Sequence, residues 1–150
     1  MTDVSMDVPR PHGEGDIPEP NAGALPAGRL LELAVSNLAV IDRLRLTLGP
    51  GFNVLTGETG AGKSLLIDAL GLALGARADT ALVRHGADVA RVEALFERLP
   101  EPLICMREVA AGGRSTARID DQTVTAARLS ETAGGLVEIH GQHEQQRLLD

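Results

Sequence analysis

A chain of 150 residues with a formal charge of −7 and 43% apolar residues can bury one sizeable core, but it offers no generally basic surface to nucleic acid. A single cysteine excludes an internal disulfide and a thiolate metal cluster, which makes a reducing cytoplasm the simplest location. Two Phe with no Tyr or Trp leave almost no aromatic platform for stacking bases, and no stretch is apolar and long enough to span a membrane.

Met1 to Gly28 holds five of the eight prolines, several glycines and acids, and little continuous apolar sequence. It reads as a disordered leader, residues 1–28, without the apolar run of a secretion signal or the arginine-rich pattern of an organelle presequence. The folded unit is then 29–150. Leu30 to Leu38 alternates partly, and Ile41 to Leu48 sets Ile41, Leu44, Leu46 and Leu48 against Arg43, Arg45 and Thr47. Both read as strands, paired antiparallel. Gly49-Pro50-Gly51 is a turn signal, and Phe52 to Thr56 reads as the next strand. Leu65 to Leu74 is a helix apolar nearly all round, expected to be covered on most sides and to stop at Gly75. A short helix ending at Gly86 is expected within Ala76 to Asp88. Val89 to Phe96, Leu103 to Val109, Ser115 to Ile119 and Thr123-Val124 then read as short strands in series, a meander with more antiparallel character than a minimal nucleotide fold. Thr125 is suited to cap a helix over Ala126 to Thr132, broken by Gly134-Gly135. Leu136 to Ile139 follows as a buried strand candidate, and Glu144 to Leu149 opens another helix.

Between the strand at Phe52 and the helix at Leu65 lies Gly57-Glu58-Thr59-Gly60-Ala61-Gly62-Lys63-Ser64, the Gly-x-x-x-x-Gly-Lys-Ser pattern of a phosphate-binding loop. Strand, glycine-rich turn and helix is the context that pattern requires. Glycines let several backbone N–H groups point at one spot, and the helix start adds unpaired N–H groups and the positive end of its dipole. Lys63 supplies a mobile charge for the outer phosphates, the Ser64 hydroxyl is a ligand for Mg2+, and the backbone as far as Leu65 completes the grip on ATP.

Other candidates rank lower. Gln142 follows a strand candidate, where nucleotide-binding sheets hold magnesium or the attacking water, against the plainer reading of a loop glutamine bonded to backbone. His140 and His143 lack a third metal ligand apart from Glu144, His85 reads as a solvated loop residue, and Cys105 reads as core. Arg77, Arg84, Arg91, Arg114 and Arg118 are expected on the surface with carboxylate partners, with one or two free to meet phosphate. After Ser64 no apolar run ends in Asp-Glu, and Glu138 falls inside its strand, so the acid that organises magnesium is expected outside these residues. Leu129-Ser130-Glu131 echoes a signature motif but lacks the glycines that should follow.

Leu38-Ala39-Val40-Ile41, then Gly51 through Ser64, then the leucine-rich helix, resemble the opening of the SMC-like branch of ABC ATPases. The segments Leu74 to Asp79, Val83 to Gly86, Gly113-Arg114-Ser115 and Val137 to Glu144 extend the likeness, in order, to the bacterial DNA-repair members of that branch. The resemblance implies an α/β fold: a P-loop ABC-type head lobe with a mixed sheet and an added antiparallel layer, incomplete without a C-terminal lobe joined through a long coiled coil. It implies Gly57, Gly62, Lys63 and Ser64 on the phosphate loop and Gln142 on the loop that touches magnesium and senses the γ-phosphate. Its partners would be that C-terminal lobe, a second head in a homodimer, and DNA, in the cytoplasm at the nucleoid. ATP hydrolysis would gate head engagement in double-strand break repair and recombination. The rivals are an ATP-dependent DNA-tethering clamp with little turnover and, behind it, a small nucleotide kinase or GTPase; no Asn-Lys-x-Asp segment supports the last.

Overall fold

The computed structural model describes residues 28–57 and 60–139, and for Gly60 and Ala61 the backbone alone. Six strands are described: β1 Arg29–Leu38, β2 Ile41–Thr47, β3 Val89–Glu97, β4 Leu103–Ala110, β5 Ser115–Ile119 and β6 Gln122–Val124. They form one sheet in the order β2-β1-β3-β4-β5-β6, antiparallel at every pairing. Consecutive strands from β3 to β6 are neighbours, so the expected meander is present, and β1 pairs with β2 as expected. The remaining pairing, β1 with β3, brings the chain back across everything between Ile41 and Asp88. The expected leader lies outside the described residues apart from Gly28.

Strand alternation sends one row of side chains to each face of the sheet. Leu33 and Val35 of β1, Val92, Ala94 and Phe96 of β3, and Leu103, Cys105 and Val109 of β4 share the covered face and are buried. Two helices, α1 Gly60–Ala73 and α2 Ala126–Ala133, lie in the same core, α1 against β1, β3 and β4, and α2 against β5. Burying side chains such as Phe96, Leu38, Leu103 and Leu129 contributes about 1.5–3 kcal/mol each. Thr125 caps α2, its Oγ1 accepting from the Arg128 N–H at 3.1 Å.

Four local expectations are corrected. Residues 52–56 form no strand: Phe52 and Val54 are 93% and 66% exposed, and no described segment offers their backbone a ladder. The Asn53 side chain instead ties the Gly49–Gly51 turn, accepting from the Gly49 N–H and donating to the Gly49 and Gly51 carbonyls. Residues 136–139 are also not a strand; they too lack a partner, and Leu136 packs beside Gly28 and the core instead. The segment 76–88 holds no helix up to Gly86: it has a 3-10 turn, Thr80–Leu82, capped by Asp79, then an isolated bridge from Val83 to Leu38, with Gly86 in a later turn at φ 84°. Finally, α1 is covered along one stripe, Leu65, Ala69, Leu72 and Ala73, while Ile67 remains 48% exposed.

Arg107 is the buried charged residue among those described, at 4% exposure. Its partners in register, Val92 and Ala117, place it on the covered face of β4. Its Nη2 donates to the Ser115 Oγ at 3.2 Å, its Nε has no partner, and burial holds its pKa below the usual guanidinium value.

Candidate nucleotide site

The candidate segment Gly57–Ser64 runs into the start of α1, where Lys63 and Ser64 are both exposed. The first four N–H groups of a helix have no acceptor inside it, and the first turn of α1 carries no acidic side chain to neutralise its positive end. Leu65 turns its side chain into the core at 8% exposure, which anchors the turn and leaves only its backbone available to a ligand.

Lys63 folds back over the loop: its Nζ donates to the Gly57 carbonyl at 3.0 Å. A single neutral carbonyl occupies one of three ammonium donors, and a charge-assisted bond to a phosphate oxygen is roughly twice as strong as a neutral one. The cation is therefore placed at the loop with donors to spare.

Glycine at Gly57 and Gly62 is not explained by the packing of the described residues. Neither has a positive φ, and a Cβ added to either would meet nothing within 4 Å. In the helical turn at Gly62, glycine costs about 1 kcal/mol relative to alanine. What the bare backbone preserves is clear approach to its N–H groups. An ammonium, a hydroxyl and the unpaired N–H groups of a helix start form a donor set that fits a polyphosphate, and the Ser64 hydroxyl fits a hard cation such as Mg2+.

Glu58 and Thr59 lie outside the described residues, as do Gln142, His140 and His143. Among the described residues no three His, Cys, Asp or Glu side chains come together to hold a metal ion. Arg84 pairs with Asp42 at 3.5 Å, and Arg91 with Glu93 at 3.0 Å and Glu108 at 3.5 Å, as surface arginines were expected to do. Arg118 instead donates to the Asp121 carbonyl at 2.9 Å, and His85 is exposed. Sequence reasoning missed the burial of Arg107 and the grouping of Arg43, Arg45 and Arg91 on one face of the sheet. No local signal marks either, since both depend on register.

The AAA domain family model matches residues 32–132. The DNA repair protein RecN of Xylella fastidiosa (strain Temecula1 / ATCC 700964) is 44% identical over 136 residues, covering 80% of this chain and 24% of its own length. The chain thus spans about a quarter of that relative. The Smc head domain of Pyrococcus yayanosii, solved with a coiled coil and joint, superposes with a TM-score of 0.70 at 17% identity, covering 81% of this chain and 29% of that one. A structure described as concerning ATP-driven dimerization and DNA-stimulated activation of SMC ATPases gives a TM-score of 0.65 at 18% identity, over 81% of this chain and 91% of that one. With a glycine-rich segment at the head of α1, an antiparallel sheet beside it and these likenesses along most of its length, the chain belongs to the AAA domain family, has the fold of an SMC-type ATPase head lobe, and counts RecN proteins among its relatives.

Proposed function

We propose that this chain binds ATP at Gly57–Ser64 and forms part of an ATPase whose binding and hydrolysis of ATP to ADP and phosphate gates the engagement of two heads on DNA during double-strand break repair and recombination. The relatives' description as DNA repair proteins supports the process, and the description of an SMC neighbour by ATP-driven dimerization and DNA-stimulated activation supports the gating. The observation that carries the reading is the Lys63 ammonium held against the loop, beside glycines whose absent side chains keep the backbone open.

On this reading the N–H groups of Gly60 to Ser64 hold the β-phosphate, and Lys63 neutralises charge on the outer phosphates. Ser64 and Gln142 would hold Mg2+, whose charge would offset the negative charge that develops on the phosphates. No apolar run after Ser64 ends in Asp-Glu, and on this reading a C-terminal lobe of the same protein supplies the magnesium-organising acid. A second head, in a homodimer, closes over the nucleotide. Loss of the γ-phosphate removes the charge that bridges the two heads, and they part. The cytoplasm, at the nucleoid, is the place for such a protein; no described helix is long and apolar enough to cross a membrane.

Replacing Lys63 by alanine in the full-length protein weakens ATP binding by roughly 1.5–3 kcal/mol, about tenfold to more than a hundredfold. Titration calorimetry reads the loss, while the circular dichroism spectrum stays that of the parent. Unchanged ATP affinity in the Lys63→Ala protein would sink the assignment.

A further inference from the structure

The face of the sheet opposite α1 carries a groove of about 280 Å3 on β2, β1 and β3. Its floor is small, because Ala34 and Ser36 occupy the central strand. Register builds the walls: Arg43 and Arg91 flank Ser36 in one cross-strand row, and Arg45 and Glu93 flank Ala34 in the next. Two strand spacings separate the outer members of a row, about 10 Å between backbones, so long side chains from both sides lean over a hydroxyl-bearing floor. Arg43 and Arg45 stand about 7 Å apart along β2, a spacing that adjacent phosphates of one extended strand can straddle.

Three arginines and one glutamate line the groove, and Glu32 and Glu108 at its edges balance the remaining charge, in a chain whose total is −7. Arg45 is steadied by Glu32, and Arg91 by Glu93 and Glu108. Each pair engages only part of a guanidinium that carries five N–H donors. Arg43 is exposed and makes no hydrogen bond or ion pair among the described residues. Arg43 alone of the three keeps all its donors open among the described residues, so the row that contains it, Arg43–Ser36–Arg91, is the accepting register.

We propose that this row is a contact site for the phosphodiester backbone of nucleic acid. The proposal rests on the DNA-directed reading above and adds to it a surface remote from the phosphate loop. Planar guanidinium forks and a hydroxyl donor suit a tetrahedral oxyanion, and a flat, open strand face suits a continuous backbone. A contact of this kind positions the nucleic acid without reading its sequence.

The test uses the full-length protein, without nucleotide, and a fluorescein-labelled duplex of mixed sequence, read by anisotropy across a salt series. Arg43→Ala is expected to lower the slope of log affinity against log salt by about 0.9 and to weaken binding about eightfold at 0.1 M salt. Arg128→Ala, the same change of charge at an exposed position of α2, leaves both unchanged. Wild-type slope and affinity in Arg43→Ala, or an equal loss in Arg128→Ala, overturns the proposal. If Arg43→Ala instead loses binding of labelled polyglutamate while keeping DNA, the groove is a protein-docking surface and the proposal is likewise overturned. ATP binding is measured separately on the same variant and stays intact. Failure at the phosphate loop is thereby distinguishable from failure at the groove.

Discussion

Cys105 and Arg107, two residues apart on β4, sit on the same buried face, where the sheet treats a neutral thiol and a cation differently. Burial, with a smaller push from Asp120 and an opposing pull from Arg98, raises the Cys105 thiol to about 11 from 9.0. Between these values the unfolded chain loses its thiol proton while the folded chain keeps it. The unfolded state then binds fewer protons, and stability falls as pH rises from 9 to 11. The loss at the top of that window is roughly 1–3 kcal/mol. Urea titrations across this range should show a shallower decline for Cys105→Val than for the parent; parallel declines would exclude the thiol as the cause. Arg107 has no such neutral form to retreat to. The run Leu103-Ile104-Cys105-Met106 before it is apolar on both faces, so its parity cannot be read and an arginine there is naturally placed outside. Pairing with Val92 and Ala117 puts it inside.

The end of α1 shows an element whose stop was legible and whose cost was not. Gly75 was expected to end the helix, and it does so in a left-handed conformation at φ 95°. Its N–H donates to the Leu72 carbonyl at 3.1 Å and the Ala76 N–H to the Gly71 carbonyl at 2.9 Å, the paired bonds of a Schellman cap. Beyond the cap, a Cβ at Gly75 would stand 2.7 Å from the Ser130 nitrogen and 2.8 Å from the Ala126 carbonyl oxygen. Those are backbone atoms of α2, which cannot swing aside as a side chain would. Gly75→Ala is therefore expected to destabilise the fold by about 3 kcal/mol, left-handed strain and displaced α2 together. Equilibrium denaturation checks this, and a change below about 1 kcal/mol, the cost of the cap conformation alone, would mean that α2 does not press on the turn. Which stripe of α1 is covered was not legible, because nearly every position is apolar and period alone selects no face.

For the whole molecule, the described sheet is antiparallel, and residues 52–57, ahead of the candidate nucleotide segment, have no ladder of their own. Phe52, Val54 and Leu55 are 93%, 66% and 44% exposed, and Ile67 of α1 is 48% exposed. Since no apolar run after Ser64 ends in Asp-Glu, these 150 residues by themselves are expected, on the proposed function, to hydrolyse ATP no faster than background until a C-terminal lobe is added. A phosphate-release assay with and without that lobe decides it, and turnover by the 150 residues alone would locate the missing acid within them.

Both hairpin-forming strands at the start, the meander, the Thr125 cap and the Gly75 stop were all determined by sequence. Each is a local matter of backbone torsion, alternation or a hydrogen bond closed within a few residues. Tertiary structure alone decided that residues 52–56 and 136–139 are not strands, that β1 pairs with β3, and that Arg107 lies inside while Arg43 and Arg91 share a row outside. A strand exists only where another segment completes its hydrogen bonds, and a face is buried only where something covers it. Both conditions are set by residues distant in the chain.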